Sequence, residues 1–171
     1  MAEADVKEQV GEVVSRAKRR FKLEKPDAAE EGGQVGVVRG ALRAFGEGDH
    51  DRFLDALHQE VSWEAPAGKH FPGSGEHSGR DAVQEKYIGD VGRTYTEFGF
   101  RPQSFLDTDE DAVLVIGHFE GKGVEGSNVD TEAVQIWEFN GNAAVRVCIY
   151  ADSAAFPEVV TERKLEEWPA G

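Results

Sequence analysis

The chain is poor in several things that would announce a location or a chemistry. It has a single cysteine, Cys148, which can neither close an internal disulfide nor supply a cysteine-rich metal site. A cytoplasmic location is the simplest reading. No apolar run approaches the ~20 residues of a membrane span, and no apolar h-region follows Met1, so neither an anchor nor a signal peptide is expected. Positive charge is scarce too: 19 Lys and Arg stand against 33 Asp and Glu, a formal charge of −14. A field of that sign repels phosphate backbones and anionic lipid and argues against nucleic acid as a partner. No glycine pattern opens a helix as a phosphate loop does, and there is no nucleophile elbow. What is present is 39% hydrophobic residues over 171 positions, enough for one cored domain and an appendage.

The pattern changes near residue 33. Before it, Val6, Val10, Val13, Val14, Ala17 and Phe21 recur at helical spacing between Ala4 and Leu23, and Pro, Gly and charge then break the period. Residues 1–32 therefore read as a helix and a flexible linker. The run Arg16-Ala-Lys-Arg-Arg-Phe-Lys22 is its one dense basic stretch. It suits a membrane surface or an acidic partner, or a helix that packs on its own domain with cations at its C-terminal end.

Residues 33–160 read as the main domain, and 161–171 as a tail. Val37, Val38, Ala41, Leu42 and Phe45 mark a helix that stops at Gly46-Glu-Gly48, and Asp49 caps a second helix carrying Phe53, Leu54 and Leu57. A short strand at Val61-Ser-Trp63 leads through a Gly-rich loop to a third helix after Ser78-Gly79, with Ala82, Val83, Tyr87, Ile88 and Val91 on one side. Strands follow at about 98–106, 112–121, 129–139 and 144–151, separated by strong turn signals. Helices first and antiparallel strands after them give an α+β domain.

This order, with Val61-Ser-Trp-Glu-Ala-Pro-Ala-Gly68 and the pattern Gly79-Arg80-(x)6-Tyr87, resembles the nuclear transport factor 2-like superfamily, which includes ketosteroid isomerases and SnoaL-type polyketide cyclases. The resemblance implies a cone-shaped α+β barrel, a curved antiparallel sheet wrapped around helices with a pocket at its open end. Aligned on Ala65-Pro66 and Phe139-Asn-Gly141, the isomerase general-base position falls on Ala65, the oxyanion tyrosine near Ala41 and the oxyanion acid on Gln135; only Tyr87 matches a supporting tyrosine. Alanine neither moves a proton nor polarises a carbonyl, so the ketosteroid isomerase route, itself a worked example of pKa tuning, is disfavoured. Glu64 is one residue away from the base position and so on the opposite face of a strand.

The same alignment implies a chamber walled by Trp63, Phe119 and Trp137, with Gln135, Cys148, Tyr150 and Asp152 facing it and Tyr87 behind, the usual make-up of a small-molecule site. The bland alternative is that the aromatics fill the cone as core. Arg146 has Asp152 or Glu138 as ion-pair partners. A hairpin turning about Glu125 sets His118 opposite Glu132, a possible acid/base pair, although alternation points both away from the side that Gln135 faces. With Leu114, Ile116, Val134 and Ile136 they form an apolar patch on the back of the sheet, the surface through which family members often dimerise. His70 and His77, with Glu76 between them, lie in a loop expected to be a flexible lid and match no firm metal motif; His50 and His58 belong to the helical hairpin.

Two functions are consistent with these residues. One is a SnoaL-like cyclase, hydratase or isomerase acting on a small apolar organic molecule by acid/base chemistry without metal or cofactor, with Asp152 or His118 as proton carrier and Tyr150 and Gln135 as hydrogen-bond partners. The other is a non-catalytic ligand-binding or dimerisation module of the same fold. A homodimer through the sheet face is expected in either case.

Overall fold

The computed structural model describes residues 32–161; the expected N-terminal helix, its basic run and the tail from residue 162 onward lie outside the described residues. Helix α1 (Gly33–Gly46) buries Val35, Val38, Ala41, Leu42 and Phe45, the stripe that its period dictates. It ends where Gly48 takes a positive φ of 78°, a conformation that costs glycine nothing. The Asp49 carboxylate accepts from Arg52 N at 3.2 Å and so caps α2 (His50–Asp55). Leu57, expected on that helix, instead opens β1 (Leu57–Ala65), where its fully buried side chain joins the core.

The next helix, α3, runs through Arg80–Ala82, a π-helical turn at Val83–Ile88 and Gly89–Thr94. The Gly79-Arg80 pair has two physical jobs at its start. Gly79 sits at φ 92°, and Arg80 Nε donates to the Leu57 carbonyl at 2.6 Å, tying α3 to the first turn of β1. Strands β3 (Tyr95–Asp107), β4 (Ala112–Gly123), β5 (Asn128–Asn140) and β6 (Ala143–Ala151) form an antiparallel meander. One element went unforeseen. The segment Gly75–Ser78 is a strand, β2, antiparallel to β1 and pairing His77 with Trp63.

The six strands lie in one curved sheet, in the order β2-β1-β6-β5-β4-β3, with β1 and β6 parallel. The sheet does not close. The fold is the expected cone-shaped α+β architecture, with α1 to α3 on the concave side, where their apolar residues pack with Val113, Val115, Phe119, Ala133, Trp137, Val147 and Ile149 in one cluster.

The loop between β1 and β2, expected as a flexible lid, is pinned on three sides. Lys69 O accepts from Val159 N at 2.8 Å, His70 Nδ1 lies 2.9 Å from Phe156 O, and Gly73 N donates to Asp90 Oδ2 at 2.8 Å. Phe71, fully buried, wedges between Phe119 and Phe156 at ring-centroid distances of 5.5 and 5.0 Å. Gly73 itself has φ +63°, and a Cβ there would lie 2.8 Å from Tyr87 Cα. Both the conformation and the space demand glycine. Gly73→Ala should therefore destabilise the domain by about 2–3 kcal/mol, read as a shift of the urea midpoint at unchanged slope; a loss below about 0.5 kcal/mol would mean that the loop yields freely.

Candidate functional site

The concave side of the sheet is an aromatic interior. Tyr87 lies 4.8 Å from Trp63 and 5.2 Å from Phe45 by ring centroids, and Phe53 meets Trp63 and Trp137 edge-on at 6.2 and 6.3 Å. Through Phe98, stacked on Phe119 at 5.5 Å, this group continues into the Phe71, Phe119 and Phe156 trio. Trp63, Phe119 and Trp137 therefore stand on the expected side, each no more than 1% exposed.

A few polar groups interrupt this apolar surface. Gln135, 2% exposed, accepts through Oε1 from Trp137 Nε1 at 2.9 Å. Trp63 Nε1 is buried and has no hydrogen-bond partner among the described residues. The same holds for the Tyr95 hydroxyl. An orphaned buried donor costs ~1–3 kcal/mol, and such groups in a folded protein call for an explanation. Burial raises the pKa of both Tyr87 and Tyr95 well above the ordinary phenol range, so each remains a neutral hydroxyl at physiological pH.

Three of the expected lining residues stand elsewhere. Cross-strand partners share a face, and Gln135 is opposite Ile149, Ile136 opposite Cys148 and Val134 opposite Tyr150. Cys148 and Tyr150 are thus on the convex side, Tyr150 44% exposed. The reason is a bulge: Asn140 faces Ala143 and Phe139 faces Ala144, but Glu138 faces Arg146, leaving Val145 without a partner. Carried on unshifted, the hairpin register would have set Gln135 against Cys148; one extra residue turns the rest of β6 over. Asp152 lies beyond β6, where its carboxylate accepts from Ala154 N at 3.1 Å and caps a short 3-10 turn (Ser153–Ala155). His118 does stand opposite Glu132, but its Nδ1 meets Asp130 Oδ1 at 2.7 Å, on the convex side. The structure brings none of Asp152, His118 and Tyr150 together with Gln135.

The convex side has its own polar cluster, which sequence reasoning touched only through Arg146. That guanidinium pairs with Glu64 through two bonds of 2.8 and 3.2 Å and with Glu138 at 3.2 Å, while the Cys148 thiol donates to Glu64 Oε2 at 2.7 Å. Hydrogen bonds from Arg146 and then Cys148 hold the Glu64 carboxyl below its usual range, against a smaller opposing effect of burial. The Cys148 thiol is pushed up to about 12, by burial first and by its bond to Glu64 second, so it is a protonated, unreactive thiol at neutral pH. Parallel pairing of β1 with β6, which sets Glu64 beside Cys148, is the signal that could have located this cluster. An open groove of ≈ 570 Å³ runs over β3, β4 and the start of β5. Its charges pair among themselves, Arg101 with Glu120 at 2.7 Å and Lys122 with Glu97 at 3.6 Å, and leave no convergent set of free polar groups.

Comparison with known proteins agrees with this architecture. Residues 38–147 match the model of the SnoaL-like domain, and the chain belongs to that family, within the nuclear transport factor 2-like superfamily. No curated protein matches the sequence. Among solved structures, an NTF2-like protein of unknown function from Burkholderia pseudomallei is similar at 26% identity and a TM-score of 0.63, over 71% of this chain and 92% of that one. TerC, co-crystallised with polyporic acid, is similar at 22% identity and a TM-score of 0.65, over 71% and 93% of the two chains. A candidate polyketide cyclase from Xanthomonas campestris pv. campestris is similar at 18% and 0.59, over 68% and 88%.

The Glu64 cluster makes a pH-dependent contribution of definite sign. A carboxyl whose pKa is lowered by folding stabilises the native state above the ordinary Glu value of about 4.3 and loses that contribution as pH falls through the lowered value. Glu64→Gln should destabilise the domain more at pH 7 than at pH 3. Urea unfolding at both pH values checks this, and an equal penalty at both would assign the effect to packing.

Proposed function

We propose that this SnoaL-like domain holds a small, largely apolar, neutral molecule that carries a hydrogen-bond acceptor in its aromatic interior. The observation behind this is the Trp63 indole N–H, buried among rings without a partner among the described residues and accompanied by one buried amide, Gln135. A carbonyl oxygen in reach of that N–H would relieve the ~1–3 kcal/mol it costs unpaired, while Trp63, Tyr87 and Trp137 supply flat apolar contact. Binding is favoured over catalysis by Asp152, His118 and Tyr150, because the first caps a turn and the other two lie across the sheet from the interior.

The catalytic reading, a cyclase, hydratase or isomerase without cofactor, has one observation in its favour. Tyr87 sits in the π-helical turn of α3, a kind of segment frequently found at functional sites, and its ring lies against Trp63. A neutral phenol there would donate a hydrogen bond to an oxygen that gains charge during proton transfer.

Intrinsic tryptophan fluorescence titrated with a panel of neutral aromatic ketones tests the binding reading. Saturable quenching below about 100 μM is expected for at least one member, weakened about tenfold, or ~1.4 kcal/mol, by Trp63→Phe. Asp152→Ala and His118→Ala should bind as wild type does. Absence of saturable binding across the panel would sink the proposal. For any ketone that also turns over, Tyr87→Phe should abolish the reaction while leaving binding within about threefold.

A further inference from the structure

The rings of the interior are not all held in the same way. Phe45, Phe53 and Tyr87 are carried by helices, and Trp63, Phe119 and Trp137 by strands of the sheet. Phe71 and Phe156 are carried by neither. One stands in the loop between β1 and β2, residues 66–74, and the other in the strap that follows β6, residues 152–161. With Phe119 they form a triangle of edge-to-face contacts at centroid distances of 5.0, 5.5 and 5.7 Å. Phe119 stacks on Phe98, and Phe98 reaches Tyr87 at 6.5 Å, so the triangle is continuous with the rings around Trp63.

The bonds that hold loop and strap form one closed circuit. Between the two segments, Val159 N donates to Lys69 O at 2.8 Å, and His70 Nδ1 is 2.9 Å from Phe156 O; a carbonyl only accepts, so the imidazole donates. Between strap and α3, Val160 N donates to Thr94 Oγ1 at 3.0 Å, and Val160 O accepts from Arg93 Nε at 3.1 Å. Between loop and α3, Gly73 N donates to Asp90 Oδ2 at 2.8 Å. The circuit closes within a single carboxylate, because Asp90 Oδ1 takes Arg93 Nη2 at 2.5 Å. Asp90 therefore secures both segments, the loop directly and the strap through Arg93. Neither segment pairs as a strand; against the sheet they set rings on Phe119.

We propose that loop 66–74 and strap 152–161 are a gate to the aromatic interior, with Phe71 and Phe156 as its two leaves and Asp90 as its latch. Ring contacts are tolerant of small shifts and re-form when the segments return, whereas a helix or strand displaced from the interior forfeits its backbone bonds. Parting the triangle is thus the opening of lowest free energy through which a molecule reaches Trp63. Segments held by few backbone bonds open in this way without global unfolding. Asp90 acts through Gly73 and Arg93 and is a positioning residue. The gate rests on the ligand reading above for its purpose, but its test uses a small probe in place of the ligand.

Trp168→Phe leaves Trp63 and Trp137 as the chain's only tryptophans, so emission in that parent reports the interior. Collisional quenching by acrylamide, a small neutral amide, should be weak in the parent. Asp90→Ala and Phe156→Leu should each raise the quenching constant about fivefold or more, at urea concentrations well below the unfolding midpoint and independently of urea there, because a local opening exposes little surface. Phe139→Leu, the same truncation elsewhere in the core, should stay within about twofold of the parent. Constants within about twofold of the parent in both gate variants would overturn the proposal, as would an equal rise in Phe139→Leu or a rise that grows with urea as unfolding does. If Asp90→Ala fails to fold, Phe156→Leu decides alone. For any ketone that binds, stopped-flow mixing should show association and dissociation both faster in Asp90→Ala, with Kd within about threefold; a weaker Kd at unchanged association rate would overturn the gate. Faster quenching in a protein that binds no ketone would uphold the gate and sink the ligand reading.

Discussion

The extra residue in β6 governs which chemistry meets which side of the sheet. Val145 has no partner on β5, and because side chains alternate along a strand, that single insertion moves Arg146, Cys148 and Tyr150 to the convex side and Val147, Ile149 and Ala151 to the concave one. Parallel pairing then carries the choice to β1, setting Trp63 beside Val147 and Glu64 beside Cys148. The ring-filled interior and the Glu64, Arg146 and Cys148 cluster are thus two results of one register. Without the bulge, a guanidinium, a thiol and a phenol would face the rings, and the buried charge would have to be neutralised where no partner exists.

The two sides solve the problem of polar atoms differently. On the convex side every member of the cluster is satisfied: two carboxylates bracket Arg146 and a thiol completes Glu64. On the concave side Gln135 and Trp137 satisfy each other in part, and Trp63 Nε1 is left over. Satisfied networks stabilise and specify a fold, whereas an unsatisfied donor in a dry setting is a cost that a bound acceptor removes. That contrast, rather than any count of aromatic residues, directs attention to the interior as the place for a ligand.

Much of the fold was legible in the sequence because its signals are local. Helical spacing, the Asp49 cap, the Gly46-Glu-Gly48 stop and the turn clusters place α1 to α3 and β3 to β6 within a few residues. The family alignment implied that Gln135 and Trp137 face the interior, where both are buried, and the turn at Glu125 correctly set His118 against Glu132. Three things depend on non-local facts and were not legible. The strand at Gly75–Ser78 exists only because β1 offers it an edge. The bulge at Val145 follows from fitting β6 between β1 and β5, and nothing in Ala143-Ala-Val-Arg-Val147 announces it. The hydrogen bonds of His70 and Gly73, which fix a loop rich in glycine, come from Phe156 and Asp90, distant along the chain.

The parallel contact between β1 and β6 also shapes how the molecule comes into being. Strands β3 to β6 can pair as successive hairpins soon after each is made, since every partner is a near neighbour in the chain. The β1 edge beside Trp63, by contrast, waits for Val147, and closing so long a loop has an entropic cost that only the intervening hairpins reduce. On the ribosome, β1 can pair with β2 and pack on Phe53 and Tyr87 while the first half of the domain emerges, but its edge toward β6 stays open until nearly the whole domain has been synthesised. That open strand edge is the last to be filled, and until then the surplus of negative charge helps to keep the nascent chain dispersed.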